Sequence, residues 1–181
     1  MRFFFEMTRT LVIGYGNLDR QDDGVAHAII GNLRGRLGQA SLAEGETGLE
    51  QLGGHADSIL VLQLTPELLD VALDYEQLVF VDAHVRLDAE EVHCTRVHAE
   101  YAPAAFTHHM TPAMFLALLQ ALHQHRPAGY IVSVRGHSFD FERKLSSATQ
   151  ASVQPAVDKI TALLPEAALN ARRDQLCTQE A

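Results

Sequence analysis

The chain has 181 residues, of which 47% are hydrophobic and 20% charged, and its formal net charge is −9 at pH 7. This length fits one globular domain that buries roughly 70% of the surface exposed by the unfolded chain. The negative charge argues against a nucleic-acid partner or an anionic membrane surface, because phosphate binding needs clustered Lys and Arg. No apolar run approaches the ~20 residues of a membrane span.

Apolar runs alternate with amphipathic segments from residue 10 to residue 164, and this pattern predicts a single α/β domain. Strands are predicted at residues 10–15, 58–64, 77–81, 91–99 and 130–134, the fourth with the alternation of an edge strand. Helices are predicted at residues 22–37, 65–73, 111–124 and 147–164. Because most of the strands are continuously apolar, we expect a doubly wound, mostly parallel sheet with helices on both faces.

The remaining segments are predicted to be less regular. Residues 1–9 form an N-terminal extension whose apolar part is too short for a signal peptide. Residues 38–57 contain five glycines and are predicted to be a mobile loop with at most one helical turn around residues 49–52. Residues 165–181 are predicted to be a frayed tail.

The cysteine content indicates a reducing compartment. Cys94 and Cys177 lie far apart and in no Cys-x-x-Cys pair, so neither a disulfide framework nor a zinc knuckle is expected. A reducing cytoplasm is therefore the expected compartment. No feature of the sequence supports a stable dimer, so a monomer is expected.

A glycine turn followed by two acids closes the first predicted strand. Residues 14–17 (GYGN) end the apolar run, and Asp22 and Asp23 follow at the start of a helix. Ligands of open α/β sheets sit beyond the carboxyl ends of the strands, so these acids can present oxygen atoms to a cation or a substrate. A dinucleotide site is not expected, because its fingerprint would need a third glycine where this chain has Asp19.

An acid and a pair of histidines add to this candidate site. Asp82 stands at the end of the apolar strand 77–81, where an unpaired carboxylate would be costly, so we expect it to hold a metal or a hydrogen-bond partner. His108 and His109 immediately precede the helix predicted at residue 111. Two Asp and one His would offer hard oxygens and a borderline nitrogen, which suit nickel, zinc or another divalent transition ion better than calcium.

Taken in chain order, these motifs resemble those of the nickel–iron hydrogenase maturation proteases, the hydrogenase maturation endopeptidases of peptidase family M52. The resemblance lies in GxGN-x5-DDG after the first strand, VDA at the end of a later strand, and a Thr-His pair before a helix. It extends from about residue 10 to residue 164 and includes residues 63–67 (QLTPE) and 144–146 (KLS).

The resemblance implies a phosphorylase/hydrolase-like fold and a metal-dependent endopeptidase. Such an enzyme removes the C-terminal extension of a hydrogenase large-subunit precursor after nickel insertion, and the nickel is supplied by the substrate. The resemblance assigns metal binding and catalysis to Asp23, Asp82 and His108, with His109 as the alternative to His108.

Other residues near these motifs receive structural roles. Asp22 is interpreted as a helix-start residue and His84 as a loop side chain. Residues 44–48 (EGETG) stand where the family has a second glycine-rich motif, and we assign them no chemistry. Specificity for the partner hydrogenase is expected to lie in the loop 38–57.

Two alternative functions remain open at this point. The GYGN turn also resembles the start of peptidyl-tRNA hydrolases, but those enzymes place a catalytic His shortly after the turn and carry a basic face. Here the nearest His is His27, inside the predicted helix. The other alternative is a chaperone that binds metal or the large-subunit tail without cutting it.

Overall fold

Five strands form one sheet in the computed structural model, which describes residues 8–101 and 110–169. The strands are β1 (Thr10–Tyr15), β2 (Ala56–Val61), β3 (Gln77–His84), β4 (Val92–Val97) and β5 (Ala128–Arg135). Their order is β2-β1-β3-β5-β4; all neighbours in this described sheet pair in parallel except β4 and β5, which are antiparallel. The prediction of a mostly parallel sheet with an edge strand is therefore confirmed.

In the described part of the chain, four helices cover both faces of the sheet: α1 (Val25–Leu37), α2 (Leu68–Ala72), α3 (Pro112–His123) and α4 (Ser147–Leu163). Two apolar clusters separate them from the strands. The cluster on the face of α1 and α4 includes Val12, Ile30, Val79, Val132 and Val157. The cluster on the face of α2 and α3 includes Ile13, Leu69, Phe80, Phe115 and Leu119. Alternate strand residues thus serve opposite faces, which confirms the doubly wound architecture. None of the described helices is both long enough and apolar enough to cross a bilayer.

The helix ends follow from capping residues in the sequence. The Thr111 hydroxyl accepts a hydrogen bond from the Met114 amide at 3.2 Å, and Pro112 occupies the first helical position. The Ser146 hydroxyl accepts a hydrogen bond from the Thr149 amide at 3.3 Å at the start of α4. The predicted starts of both helices are confirmed to within one residue.

β3 is longer than predicted and contains Asp82. It continues to His84 because β5 extends to Arg135, and the pairing between the two strands continues through Asp82↔Ser133 and His84↔Arg135. Asp82 therefore lies in the strand rather than after it. The interpretation of His84 as a loop side chain is wrong for the same reason.

Smaller differences concern β2, α1 and the C-terminal segment. β2 begins two residues earlier than predicted and ends at Val61, and a 3-10 turn at Gln21–Gly24 precedes α1. Residues 166–169 form a further helical turn, and Ala168 is buried in the cluster under α1 and α4. The packed part of the chain therefore extends past residue 164.

The segment after α1 is held to the sheet by a buried arginine. The Arg34 guanidinium donates to the Ala40 carbonyl at 2.6 Å and to the Ser58 carbonyl at 3.1 Å. A single 3-10 turn at Leu49–Gln51 confirms the predicted helical turn in this segment.

Two glycines on the exposed side of α1 provide a test of helix propensity. A Cβ added to Gly31 or Gly35 would meet nothing within 4 Å. Glycine in a helix interior costs roughly 0.8–1 kcal/mol relative to alanine, so Gly31→Ala and Gly35→Ala are each expected to raise the free energy of unfolding by about 0.5–1 kcal/mol in urea denaturation. Gly129→Ala is the contrasting variant, because its Cβ would overlap Leu116 in the core. A loss of stability in both α1 variants would contradict this expectation.

Candidate functional site

The turn after β1 holds Asp23 at the carboxyl end of the sheet. Gly16 has φ +141°, and a Cβ at this position would overlap the Asp23 carbonyl oxygen, so the turn requires glycine. The Asn17 amide donates to Asp23 Oδ2 at 2.9 Å. The Asp19 amide in turn donates to Asn17 Oδ1 at 2.9 Å. The glycine turn thereby fixes the orientation of the Asp23 carboxylate.

Asp82 lies near Asp23, on the face of the sheet that α2 and α3 cover. The pKa of Asp82 is raised to about 6. Burial is the main cause and the nearby Asp23 charge adds to it, while hydrogen bonds from the Ala83 amide and Tyr15 act in the opposite direction. The Ala83 amide donates to Asp82 Oδ1 at 2.7 Å. The structure thus brings the two predicted carboxylates together, and the energetic cost of ionising Asp82 is only partly offset by its hydrogen bonds.

Tyr15 is a member of this site that the sequence reasoning missed. Its hydroxyl forms a hydrogen bond with Asp82, and burial followed by the Asp82 charge raises the pKa of the phenol. β1 and β3 pair in register up to Gly14↔Val81, so the next residue of each strand lies beside the other. That register is not visible in the sequence, although Tyr15 lies inside the GYGN motif itself.

Asp22 stands before α1, as predicted, and it also forms hydrogen bonds to the loop after β5 and to the start of α4. It is fully buried, and its carboxylate accepts hydrogen bonds from the backbone amides of His137, Ser138 and Ser146 and from the hydroxyls of Ser146 and Thr149. Burial alone would raise the pKa of Asp22, but these hydrogen bonds outweigh it and lower the pKa to about 2. Asp22 therefore ties the loop after β5 to the turn that carries Asp23.

His84 carries a buried imidazole two residues beyond Asp82. Both ring nitrogens are buried, and within the described part of the chain neither has a hydrogen-bond partner. Burial, and then the Arg135 charge, lower the pKa of His84, so the ring is neutral at pH 7. It lies on the same face of β3 as Asp82, because alternate residues of a strand share a face.

The predicted histidine ligand lies outside the described residues, and so does its alternative, His109. The described chain resumes at Met110, which packs against the apolar cluster under α2 and α3. Across residues 8–101 and 110–169, no three His, Cys, Asp or Glu side chains are placed to hold a metal ion together. The described part of the site therefore supplies two carboxylates and a tyrosine, and its third metal ligand stays a prediction at His108.

Comparisons with known proteins identify the fold. No protein-family model matches the sequence, and no curated protein sequence matches it. The solved structures that are similar include a hydrogenase maturating endopeptidase, HybD, from E. coli. It is 23% identical to this chain with a TM-score of 0.61, over 86% of this chain and 91% of HybD.

Two further solved structures agree with this result. A [NiFe] hydrogenase maturation protease HybD from Thermococcus kodakarensis is 21% identical with a TM-score of 0.60, over 86% of this chain and 99% of that one. The maturation protease HycI from T. kodakarensis KOD1 is 16% identical with a TM-score of 0.59, over 90% and 93%. At these identities the likeness shows a shared fold over nearly the whole length of each protein.

Proposed function

We propose that this protein is a hydrogenase maturation endopeptidase, which removes the C-terminal extension of a nickel–iron hydrogenase large-subunit precursor once nickel has been inserted. Asp23, Asp82 and His108 contact the nickel that the precursor carries. The shared fold and the position of the two carboxylates at the carboxyl end of β1 and β3 support this proposal.

The observation that carries the proposal is the placement of two carboxylates close together, Asp82 near the end of β3 and Asp23 in the turn after β1. The Asp82 pKa of about 6 reflects burial and the neighbouring Asp23. A divalent cation placed between these carboxylates would remove their repulsion and compensate the lost hydration of Asp82. A site of this kind favours the metal-loaded precursor over the metal-free one.

The third ligand is proposed from chain connectivity. α3 packs on the same face of the sheet as Asp82, and Phe115 contacts Phe80, two residues before Asp82 on β3, with ring centroids 5.7 Å apart. Residue 108 precedes Met110 by two positions, which an extended chain spans in roughly 7 Å. A histidine there would add a nitrogen to the two carboxylate oxygens, a donor set that suits nickel.

Three protein ligands leave coordination positions open for groups of the substrate. The substrate's nickel would polarise the scissile carbonyl or a water molecule as a Lewis acid. Asp82 and the Tyr15 hydroxyl that hydrogen-bonds it would orient this region and hold the proton between them. The enzyme then cuts only a precursor in which the metal is already present, so cleavage reports successful insertion.

The first test is a processing assay with purified protein. The protein is incubated with a nickel-loaded large-subunit precursor and, separately, with the nickel-free precursor, and the intact mass of each product is recorded. Loss of a C-terminal peptide from the loaded precursor alone is the expected result.

Other outcomes of this assay separate the alternatives. Equal cleavage of both precursors would contradict recognition of the metal. Binding of the precursor in a pull-down without any cleavage would replace the protease by a chaperone. If the protein instead cleaved peptidyl-tRNA and left the precursor intact, the peptidyl-tRNA hydrolase alternative would stand.

A further inference from the structure

A cavity of about 530 Å³ opens beside the candidate site. It lies between the glycine turn, α1, the end of β2 and the segment 42–47. Gly16 and Asn17 line it and also belong to the turn that orients Asp23. The cavity is therefore continuous with the site, on the side of β1 away from Asp82.

The cavity ends on a strand edge that is only partly covered. β2 is the outer strand of the sheet, and the segment after α1 pairs with its free edge. The Gln39 side chain donates to the Ala56 carbonyl at 2.8 Å, Arg34 donates to the Ser58 carbonyl, and the Leu60 amide donates to the Thr47 carbonyl at 2.9 Å.

The segment after α1 covers the free edge of β2 only as far as the Leu60 amide. The Leu60 carbonyl points the same way as its amide, on the side of the cavity that Leu60 lines. The next residue but one, Leu62, is 67% exposed and also lines the cavity. An uncovered strand edge is the surface that an extended peptide recognises, through backbone hydrogen bonds and pockets for alternate side chains.

The charges around the cavity favour a cationic side chain. Three carboxylates line it, those of Asp19, Glu44 and Glu46, against two guanidinium groups. Arg143 already contacts Asp19 at 2.6 Å and Glu44 at 2.7 Å. Glu46 accepts a hydrogen bond from the Ala43 amide at 2.8 Å, and its charge also acts on the Arg34 guanidinium. Its side chain remains exposed and is therefore accessible to a ligand.

α1 keeps the cavity open by means of a glycine. Gly31 lines the cavity, and a Cβ there would meet nothing within 4 Å. Gly35 stands one turn later on the same helix with equally free space, and it does not line the cavity. A large side chain in place of Gly31 should therefore block the cavity, and the same substitution at Gly35 provides the matched control.

We propose that this cavity binds an extended segment of the protein substrate, which lies along the backbone at the end of β2, from the Leu60 carbonyl towards Leu62, and places a Lys or Arg side chain beside Glu46. This inference rests on the proposed function for the identity of the substrate. It assigns specificity for the partner protein to the segment 42–47, because this segment carries the Glu46 carboxylate that would contact the basic side chain.

The binding test needs no hydrogenase. A display library of random ten-residue peptides is selected on the full protein, on Gly31→Phe and on Gly35→Phe, with the fold of each variant checked by circular dichroism. Peptides with Lys or Arg are expected to be enriched on the wild type and on Gly35→Phe and lost on Gly31→Phe. Equal enrichment on both variants, or no enrichment on the wild type, would overturn the peptide site.

The charge preference is tested with Glu46→Gln. The most enriched peptide is labelled with fluorescein and compared, by anisotropy, with a copy that has norleucine in place of its basic residue. The wild type is expected to bind the basic peptide at least fivefold more tightly, and Glu46→Gln to lose this difference. An unchanged ratio in Glu46→Gln would remove Glu46 from the proposal.

Processing of the nickel-loaded precursor separates this inference from the proposed function. In Gly31→Phe, the KM is expected to rise at least tenfold with little change in kcat, while Gly35→Phe behaves as the wild type. If Gly31→Phe cuts the precursor as the wild type does, the peptide site fails and the protease assignment stands. If peptides bind and no precursor is cut, the protease assignment fails and the peptide site stands.

Discussion

Asp82→Asn is expected to abolish precursor processing and at the same time to stabilise the folded protein at pH 8. The folded protein raises the pKa of Asp82 from 3.8 to about 6, so the native state holds this proton more tightly than the unfolded chain does. The ionised carboxylate therefore destabilises the fold. Asparagine keeps an oxygen for the Ala83 amide and removes the charge.

The pH dependence follows from the same shift. Below about pH 3 Asp82 is protonated in both states, and its charge contributes nothing to the difference in stability between the variant and the wild type. As the pH rises from about 4 to 6, the free energy of unfolding of the wild type should fall relative to that of the variant. Each pKa unit corresponds to 1.36 kcal/mol. The free energy of unfolding of Asp82→Asn is therefore expected to exceed that of the wild type by about 1–3 kcal/mol once the pH is above 6, and this difference should not change at higher pH.

The measurement is urea denaturation of both proteins without metal, between pH 4 and pH 8. Asp70→Asn is the matched control, because it makes the same substitution at an exposed position of α2. Processing by Asp82→Asn should fall by at least about 100-fold, because even residues behind metal ligands typically contribute 10–100-fold. A variant less stable than the wild type at pH 8 would show that the Asp82 charge is already compensated in the free protein.

Asp82 illustrates how far the sequence alone leads. An apolar run that ends in an acid was sufficient to place a carboxylate at the carboxyl end of the sheet, because the positions of strand ends follow from hydrophobic periodicity. The partner of that carboxylate, Tyr15, depends on the register between β1 and β3, which two buried apolar strands do not encode locally.

Asp22 shows the opposite case. Two adjacent acids before a helix look alike in the sequence, and the helix dipole favours both. The structure separates them: Asp23 is turned to the site, whereas Asp22 is buried and contacts groups more than 100 residues later in the chain. Long-range contacts of this kind leave no periodic signal near residue 22.

Asp22→Ala is expected to be among the most destabilising single substitutions in the described part of the chain. It would leave the part-buried backbone amides of His137, Ser138 and Ser146 without the acceptor that the buried Asp22 carboxylate provides. Leaving a buried donor unsatisfied costs roughly 1–3 kcal/mol, and we expect a total loss of about 3–5 kcal/mol in the free energy of unfolding.

Acid titration gives an independent readout of the same carboxylate. The folded protein lowers the pKa of Asp22 to about 2, so the stability that its charge provides is complete above about pH 4 and is lost as the pH falls towards 2. The wild type should therefore lose stability in this range more steeply than Asp22→Asn. Asp140→Ala, which removes an exposed acid of the same loop, is the matched control and should leave the urea midpoint nearly unchanged.

If Asp22→Ala does not fold, Ser146→Ala keeps the expectation testable. It removes the Ser146 hydroxyl, which donates to Asp22 at 2.7 Å and caps α4, and should cost about 1–2 kcal/mol. Because Asp22 holds the loop after β5 against the turn of Asp23, both variants should also weaken precursor processing at temperatures where they remain folded. Unimpaired processing by a folded Asp22→Ala protein would show that the glycine turn orients Asp23 without this support.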